Sequence, residues 1–458
     1  MATTTQTQTL EEHRPSGPAD YEPRELRSRA VLVEEERAPD AAVAQREAPT
    51  LWLKIQLIGV GFSFFCAGVN DGTLGPLIPY ILSSYNISTG EVAIIYATTF
   101  AGWLFAAATN PILTAYLNLG QLLFLGAALQ LLAQCLRPWA PLPLFCATFF
   151  LQALGMAYQD AHGNTFVSSV SRVAHRWLGF IHAMYALGCL VGPLVATAVA
   201  AHAGGDGWRK VYFVMLGLGV VNIAAVAVGF KDSLRRWGAG GRGDEEDAAT
   251  GREGEQRTTA KRAAMGEMVE LLKVKDVWII SMFYFFELGA AFTSGGWVVE
   301  FLTTIRHGDL SQMGYVPTGY YSGMFLGRLL LAEPTHRFGE RRMLLIYSGF
   351  LAGLQLIFWL VPNIIANATA LSLMGFFFGP FFAAGISVAS KIFPRKIQAA
   401  ALSFVFVVAQ AGGAMFPSLT GLVAGSTGVQ VLQPIVLALL VAGGIAWWMV
   451  PKAPERSD

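Results

Sequence analysis

Three acidic residues, Asp71, Asp160 and Glu287, lie within long apolar stretches of the sequence. An ionised carboxylate deep in a membrane costs about 2.5 to 3.5 kcal/mol on insertion scales, so such acids usually face a cavity or a polar partner. Removal from water favours the neutral form of a carboxyl group. Such a group can therefore carry a proton. The alternative for each acid is a structural hydrogen bond to a neighbouring helix.

Asp71 is surrounded by residues that weaken a helix. Two prolines and three glycines lie within eight positions of it, at Gly68, Gly72, Gly75, Pro76 and Pro79. Backbone groups that such residues leave free of helical hydrogen bonds can meet a polar ligand. This pattern predicts a ligand site in the first apolar stretch, and we include the neighbouring Asn70 in it.

Other apolar stretches carry single polar or aromatic side chains that could also bind a solute. These candidates are Asn164, His182, Trp297 and Gln410. Asn164 shares a helix face with Asp160. For His182 and Gln410, a hydrogen bond between helices is the competing interpretation. Trp297 could stack on a sugar ring, or it could anchor a helix end at the membrane surface.

The composition predicts a membrane protein. Of the 458 residues, 54% are hydrophobic and only 14% are charged, whereas soluble domains carry about 25% charged residues. Lys and Arg (32) nearly balance Asp and Glu (31), which argues against a nucleic-acid partner. The chain shows no Walker sequence, zinc-type Cys pair or HExxH motif. We therefore predict no enzyme activity, no cofactor other than protons as the coupling ion, and no metal.

A helix needs roughly 20 apolar residues to cross the hydrocarbon core of a membrane. Twelve runs of about that size end in charged, proline or glycine clusters. The predicted spans are 54–82, 91–116, 119–136, 142–170, 177–203, 211–230, 277–302, 315–335, 343–361, 366–392, 397–423 and 431–450. The fold class expected from this pattern is an all-α membrane protein with twelve transmembrane helices.

The positions of the basic residues predict the orientation of the chain. With both termini in the cytoplasm, 27 of the 32 Lys and Arg residues lie in cytoplasmic segments, as the positive-inside rule requires. Arg137, Arg209, Lys210 and Arg306 fall outside, and Arg328 lies within the eighth span. Two glycosylation sequons, at Asn86 and Asn367, lie on predicted external loops.

A polar segment divides the spans six and six, which is typical of transporters built from two related halves. We assign residues 1–50 to a disordered cytosolic tail, 51–230 to the first half, 231–275 to a cytosolic linker, 276–451 to the second half and 452–458 to a short tail. Lipid and a small solute are the expected partners, and we expect a monomer. The membrane is the plasma membrane or the vacuolar membrane.

The eighth span and the segment that follows it together resemble the loop signature of the major facilitator superfamily. The matching residues are Gly323, Gly327, Arg328, Arg337, Gly339, Arg341 and Arg342. In that family the basic cluster makes cytoplasmic charge contacts that help to gate the inner side. The corresponding first-half segment, around Asn110 and Gly120, lacks these charges, which argues against symmetric gating.

Within the superfamily, Asn70-Asp71 and the segment from Asp160 to Asn164 resemble motifs of the fucose-permease branch of sugar:proton symporters and its fungal bypass-of-stop-codon-type relatives. The resemblance implies that Asp71 and Asp160 serve proton coupling and sugar binding. His182 lies where the branch has a sugar-binding amide. The alternatives are a proton-coupled efflux antiporter for organic compounds and a non-transporting nutrient receptor that signals through its tail and linker.

Overall fold

The computed structural model describes residues 50–114, 116–170, 174–235, 270–394 and 397–452. Of the described residues, those from Ile55 onward belong to one compact unit. The predicted tails at 1–50 and 452–458 and the linker at 231–275 lie almost wholly outside the described residues. These assignments stay predictions.

Six long helices form the first half. They are α1 (Leu51–Tyr85), α2 (Thr89–Leu113), α3 (Leu119–Leu136), α4 (Leu142–Ser169), α5 (Ala174–Ala203) and α6 (Val211–Gly229). Short 3-10 turns at Arg137–Trp139 and Gly205–Lys210 precede α4 and α6, and the short helix Lys231–Arg235 follows α6.

The second half also contributes six helices. They are α7 (Lys275–Thr304), α8 (Val316–Leu330), α9 (Glu340–Leu360), α10 (Ile364–Phe378), α11 (Gln398–Thr427) and α12 (Leu432–Met449). Short helices at Leu310–Met313 and Ala332–Phe338 flank α8, Phe381–Ile392 continues α10, and the 3-10 turn Val429–Val431 precedes α12. Since lipid offers no hydrogen bonds, an all-helical chain is the expected way to satisfy the backbone.

Eleven helical segments in the described part of the chain are long and apolar enough to cross a membrane. The predicted span at 315–335 differs, because α8 ends at Leu330 and a second helix begins at Ala332. Pro334 explains the break, since it has no N–H to donate to the carbonyl of Leu330. The twelve-helix layout in two halves is confirmed, with α8 as its short member.

Glycines allow close packing within each half. A Cβ on Gly126 of α3 would meet the backbone of Gly155 in α4, and the reverse is also true. Gly323 and Gly327 of α8 lie against the α10 backbone in the same way. Small residues of this kind let helix backbones approach closely in membranes, where packing replaces the hydrophobic driving force.

The two halves contact each other through α2 with α11 and α5 with α8. The closest approaches lie at the end of the bundle that carries the α1–α2 turn, which we call the closed end. There Gly90 lies against Gly425, and Ser418 Oγ donates to the carbonyl of Ala93 at 3.1 Å. Slightly deeper, Gly75 of α1 meets the backbone of α7.

The α8–α10 contact predicts a difference between two glycines. Gly327→Ala should lower the stability of the purified protein by about 1–3 kcal/mol, because its Cβ would meet the carbonyl of Phe376. Gly349→Ala is the matched control, since a Cβ there meets nothing within 4 Å. Thermal unfolding in detergent compares them, and equal melting temperatures would contradict the tight α8–α10 packing.

Candidate functional site

A cavity of about 200 Å³ lies between the two halves. Helices α1, α2, α4 and α5 line it from the first half, and α7, α8, α10 and α11 line it from the second. Six of the predicted binding residues are among those that line it: Asn70, Asp71, Asp160, His182, Glu287 and Gln410. Residues that are distant in sequence therefore converge on one site, although their roles remain predictions.

Asp71 lies in the middle of α1 and is held by two donors. Tyr185 Oη donates to Asp71 Oδ2 at 2.8 Å, and Asn70 Nδ2 donates to Asp71 Oδ1 at 3.3 Å. Tyr185 comes from α5, so this bond joins two helices of the first half.

The glycines around Asp71 have a different role from the one predicted. Helix α1 is continuous through Asp71, and only Pro76 and Pro79 interrupt its hydrogen-bond pattern. A Cβ on Gly68 or Gly72 would meet the backbone of α5. The glycines therefore bring α1 against α5, which places Tyr185 within reach of the Asp71 carboxylate.

Asp160 lies on α4 beside a network of amides. Asn164 Nδ2 donates to the backbone carbonyl of Asp160 at 3.0 Å and to its Oδ1 at 3.3 Å. Asn164 itself is not among the cavity-lining residues, so its contact with the site runs through Asp160. The adjacent Gln159 is hydrogen-bonded to Gln130 at 2.7 Å and to Asn222 at 3.3 Å.

Glu287 contributes a carboxylate from the second half. Its side chain is 8% exposed, it lines the cavity, and its Oε2 has no hydrogen-bond partner among the described residues. Arg328 of α8 also lines the cavity and interacts electrostatically with Glu287. An acceptor without a partner and a donor-rich guanidinium thus face the same space.

Arg328 also connects the halves. Its Nη1 donates to the backbone carbonyl of His182 at 3.3 Å. The imidazole of His182 packs between Phe64 and Phe382, with ring centroids 5.6 and 5.7 Å away. Arg328 therefore lines the cavity and joins the two halves, and its role in a cytoplasmic gate stays a prediction.

The rest of the gate motif makes contacts within the second half. Arg341 donates to the carbonyls of Val450 and Trp448 at 2.8 and 2.9 Å, and Gly339 adopts a φ of 96° between two helices. Arg337 and Arg342 are exposed. Glu340, next to Gly339, forms an ion pair with Lys391 at 2.5 Å. These bonds fasten α9 to α12 and to the helix after α10.

Trp297 lies outside the cavity lining. Its indole is 0% exposed, its Nε1 donates to the carbonyl of Pro417 at 3.0 Å, and its ring lies 5.9 Å from that of Tyr96. In this structure Trp297 packs α7 against α11 and α2, and stacking on a solute would require it to leave that position.

Arg137 is the residue that sequence reasoning missed. It was placed in an external loop, but its side chain is 1% exposed and its Nη1 donates to Asn70 Oδ1 at 3.2 Å. A single arginine between an apolar run and Pro138, with no acidic neighbour, was the available signal.

The two sequons differ in their surroundings. Asn86 is exposed at the α1–α2 turn. Asn367 is buried: its Nδ2 donates to the carbonyls of Phe358 and Val361 at 2.7 and 3.1 Å, and its Oδ1 accepts from Arg306 Nε at 3.2 Å. Because a glycan bonds to Nδ2, the folded structure corrects the expected glycosylation at Asn367.

Comparison with known proteins identifies the family. The family model described as Major Facilitator Superfamily matches residues 60–305 and 280–458. The chain belongs to the Major Facilitator Superfamily. Its function class is therefore transport rather than enzyme catalysis.

Similar proteins agree with the superfamily assignment. The curated relative "Bypass of stop codon protein 6" of Saccharomyces cerevisiae is 22% identical over 415 residues, which are 87% of this chain and 83% of that protein. A D-xylose-proton symporter structure covers 88% of this chain and 98% of its own, with 13% identity and a TM-score of 0.65. A structure of the nucleoside transporter NupG matches 87% of this chain and 100% of its own length, with 13% identity and a TM-score of 0.62. At these identities the two structures show a shared fold.

The burial of Asn367 generates a prediction. Asn367→Ala should cost about 1–3 kcal/mol of stability, because two carbonyls and Arg306 each lose one hydrogen bond. The shift in gel mobility that glycosidase treatment causes should be the same in this variant as in the unmodified protein. Asn86→Gly is the control, because glycine accepts the φ of 52° at that turn. Loss of a glycan in Asn367→Ala would contradict the assignment.

Proposed function

We propose that this superfamily member transports a small hydroxylated solute, most specifically a sugar or polyol, together with protons. The observation that carries the proposal is the cavity between the halves, whose lining includes three carboxyl groups, those of Asp71 in α1, Asp160 in α4 and Glu287 in α7. In this scheme Asp71 and Asp160 bind the proton, and Glu287 binds the solute.

The hydrogen bonds of the three acids support this division of roles. Asp71 and Asp160 each accept from a side chain of the protein, whereas Glu287 Oε2 has no such partner among the described residues. A hydroxyl group can donate to Glu287 and accept from Arg328 at once, which neither a purely donating nor a purely accepting group can do. The aromatic rings of Phe382 and Phe406, also at the cavity, suit the apolar face of a sugar.

The arrangement of the halves supports alternating access. Their closest contacts gather at the closed end, so the cavity is sealed there by packing. With both termini in the cytoplasm, as we propose, that end faces outward. Binding of solute and proton would then shift the population between this state and one open to the outside. We propose a monomer in the plasma membrane or the vacuolar membrane, with one pathway per chain.

An efflux antiporter for organic compounds is the second candidate. The observation that favours it is the aromatic content of the cavity, where Tyr96, Trp103, Phe149, Phe292 and Phe382 accompany three carboxyl groups. Aromatic faces and carboxylates are also the groups that bind organic cations. The receptor alternative depends on the tail and the linker, which lie outside the described residues.

Purified protein in liposomes tests the proton coupling. Addition of hexoses, deoxyhexoses or polyols should cause proton movement, which a pH-sensitive dye reports. When a proton gradient is imposed, the transported solute should accumulate inside the liposomes. Asp71→Asn and Asp160→Asn should each abolish accumulation but retain solute exchange, because an amide cannot carry the proton. Full accumulation by both variants would overturn the coupling. If sugars cause no proton movement and organic cations do, the result would favour the efflux antiporter.

The proposed role of Glu287 predicts a change in affinity. Glu287→Gln should raise KM for the transported sugar about fivefold, because a hydrogen bond to a charged group contributes about 1 kcal/mol more than a neutral one. Initial-rate uptake at saturating proton gradient measures this effect. Glu300→Gln on the same helix is the matched control, since Glu300 is buried outside the cavity and accepts from Thr304 at 2.8 Å. An unchanged KM in Glu287→Gln would exclude Glu287 from the solute site.

A further inference from the structure

Arg137 is a buried cation without a carboxylate partner. The ion pairs found among the described residues involve Glu340, and none of them involves Arg137. Its guanidinium instead donates to Thr148 Oγ1 at 3.0 Å and lies over the rings of Phe149 and Tyr212, at 4.0 and 5.1 Å from their centroids. Burial of a charge with only neutral partners is costly, which calls for a reason beyond packing.

Arg137 also donates to the backbone carbonyl of Thr148 at 3.4 Å, and a further hydrogen bond leads to the proposed proton site. Arg137 Nη1 donates to Asn70 Oδ1 at 3.2 Å, and Asn70 Nδ2 donates to Asp71 Oδ1 at 3.3 Å. A guanidinium has only donors, so it can face only the carbonyl oxygen of the Asn70 amide. The NH₂ group of the same amide is then turned toward Asp71.

We infer that Arg137 is a positioning residue for Asp71: it fixes the orientation of the Asn70 amide so that Asn70 donates to the Asp71 carboxylate. The inference rests on the proposed proton-binding role of Asp71. Without Arg137 the Asn70 amide can rotate and present its oxygen to Asp71, which disfavours the ionised carboxylate. Arg137 thus controls how readily Asp71 releases its proton, from a position outside the cavity.

The other groups that interact with Asp71 do not replace this effect. The titratable groups that interact with it electrostatically are Tyr185 and Cys189 of α5, Tyr96 of α2 and Tyr321 of α8. Each of these is neutral in its protonated form. Of the cations among the described residues, Arg137 is the one joined to Asp71 through a single side chain.

The test follows the protonation of Asp71 directly and needs no solute. The full-length protein in liposomes is titrated between about pH 4 and pH 9, and infrared difference spectra record the band of protonated carboxyl groups. The part of this band that is missing in Asp71→Asn belongs to Asp71. In Arg137→Met the midpoint of this band should move toward alkaline pH by about one unit, a tenfold change in proton concentration. In Arg137→Lys the shift should be smaller, because the charge remains.

Matched controls separate positioning from general effects. Arg209 lies in the next 3-10 turn and donates to the carbonyls of Pro138 and Ala140 at 3.4 and 3.2 Å, so Arg209→Met should leave the midpoint unchanged. Asn70→Ala should shift the midpoint as Arg137→Met does, and the double variant should show no further shift. If Arg137→Met does not fold, Arg137→Lys with and without Asn70→Ala gives the same comparison.

Each outcome is decisive. An unchanged midpoint in the Arg137 variants, an equal shift in Arg209→Met, or additive shifts of Arg137 and Asn70 would each overturn the inference while leaving the proposed function standing. A spectrum with no Asp71-dependent band would overturn both, because Asp71 would then not exchange a proton in this range.

Discussion

The structure depends on one constraint: in hydrocarbon, a polar group must find its partner within the protein. Helices meet this demand for the backbone, and buried side chains meet it through amides and carbonyls. Arg306 does so with Asn367 and the carbonyl of Trp359, at 3.2 and 2.7 Å. Some buried polar atoms of the described residues have no partner, and two of them, Glu287 Oε2 and Tyr96 Oη, belong to residues that line the cavity. In the proposed function, the free hydrogen-bonding capacity of Glu287 is what a solute hydroxyl would use.

The two halves share their helix count but differ in the chemistry they bring to the cavity. In the first half the carboxylates are held by internal donors, and Tyr185 and Asn70 keep Asp71 in one orientation. In the second half Glu287 and Arg328 keep hydrogen-bonding capacity for something else. In the proposed mechanism, such a site would separate the binding of a proton from the recognition of a solute, and movement of the halves would couple the two events.

The sequence predicted the elements better than the contacts. Span lengths follow from the thickness of a bilayer, and the acids at positions 71, 160 and 287 were visible because a charge is rare in an apolar run. The roles of Arg137 and Asn367 were not visible, because each seemed to lie at a helix end, where exposure is the usual state. Arg137 is buried because α1 and α6 pack around it. Asn367 is buried because it binds a carbonyl at the end of α9. Side-chain direction at a helix end is a tertiary property.

The glycine contacts at the closed end have a kinetic consequence. Gly90 against Gly425 and Gly75 against α7 are contacts between backbones, held by dispersion rather than by ion pairs. A gap of about 0.5–1 Å already forfeits roughly a quarter to a half of the dispersion attraction between two atoms. A seal of this kind therefore loses much of its strength over a short displacement of the two halves. Because the contacts carry no ion pairs, the strength of this seal should depend little on salt.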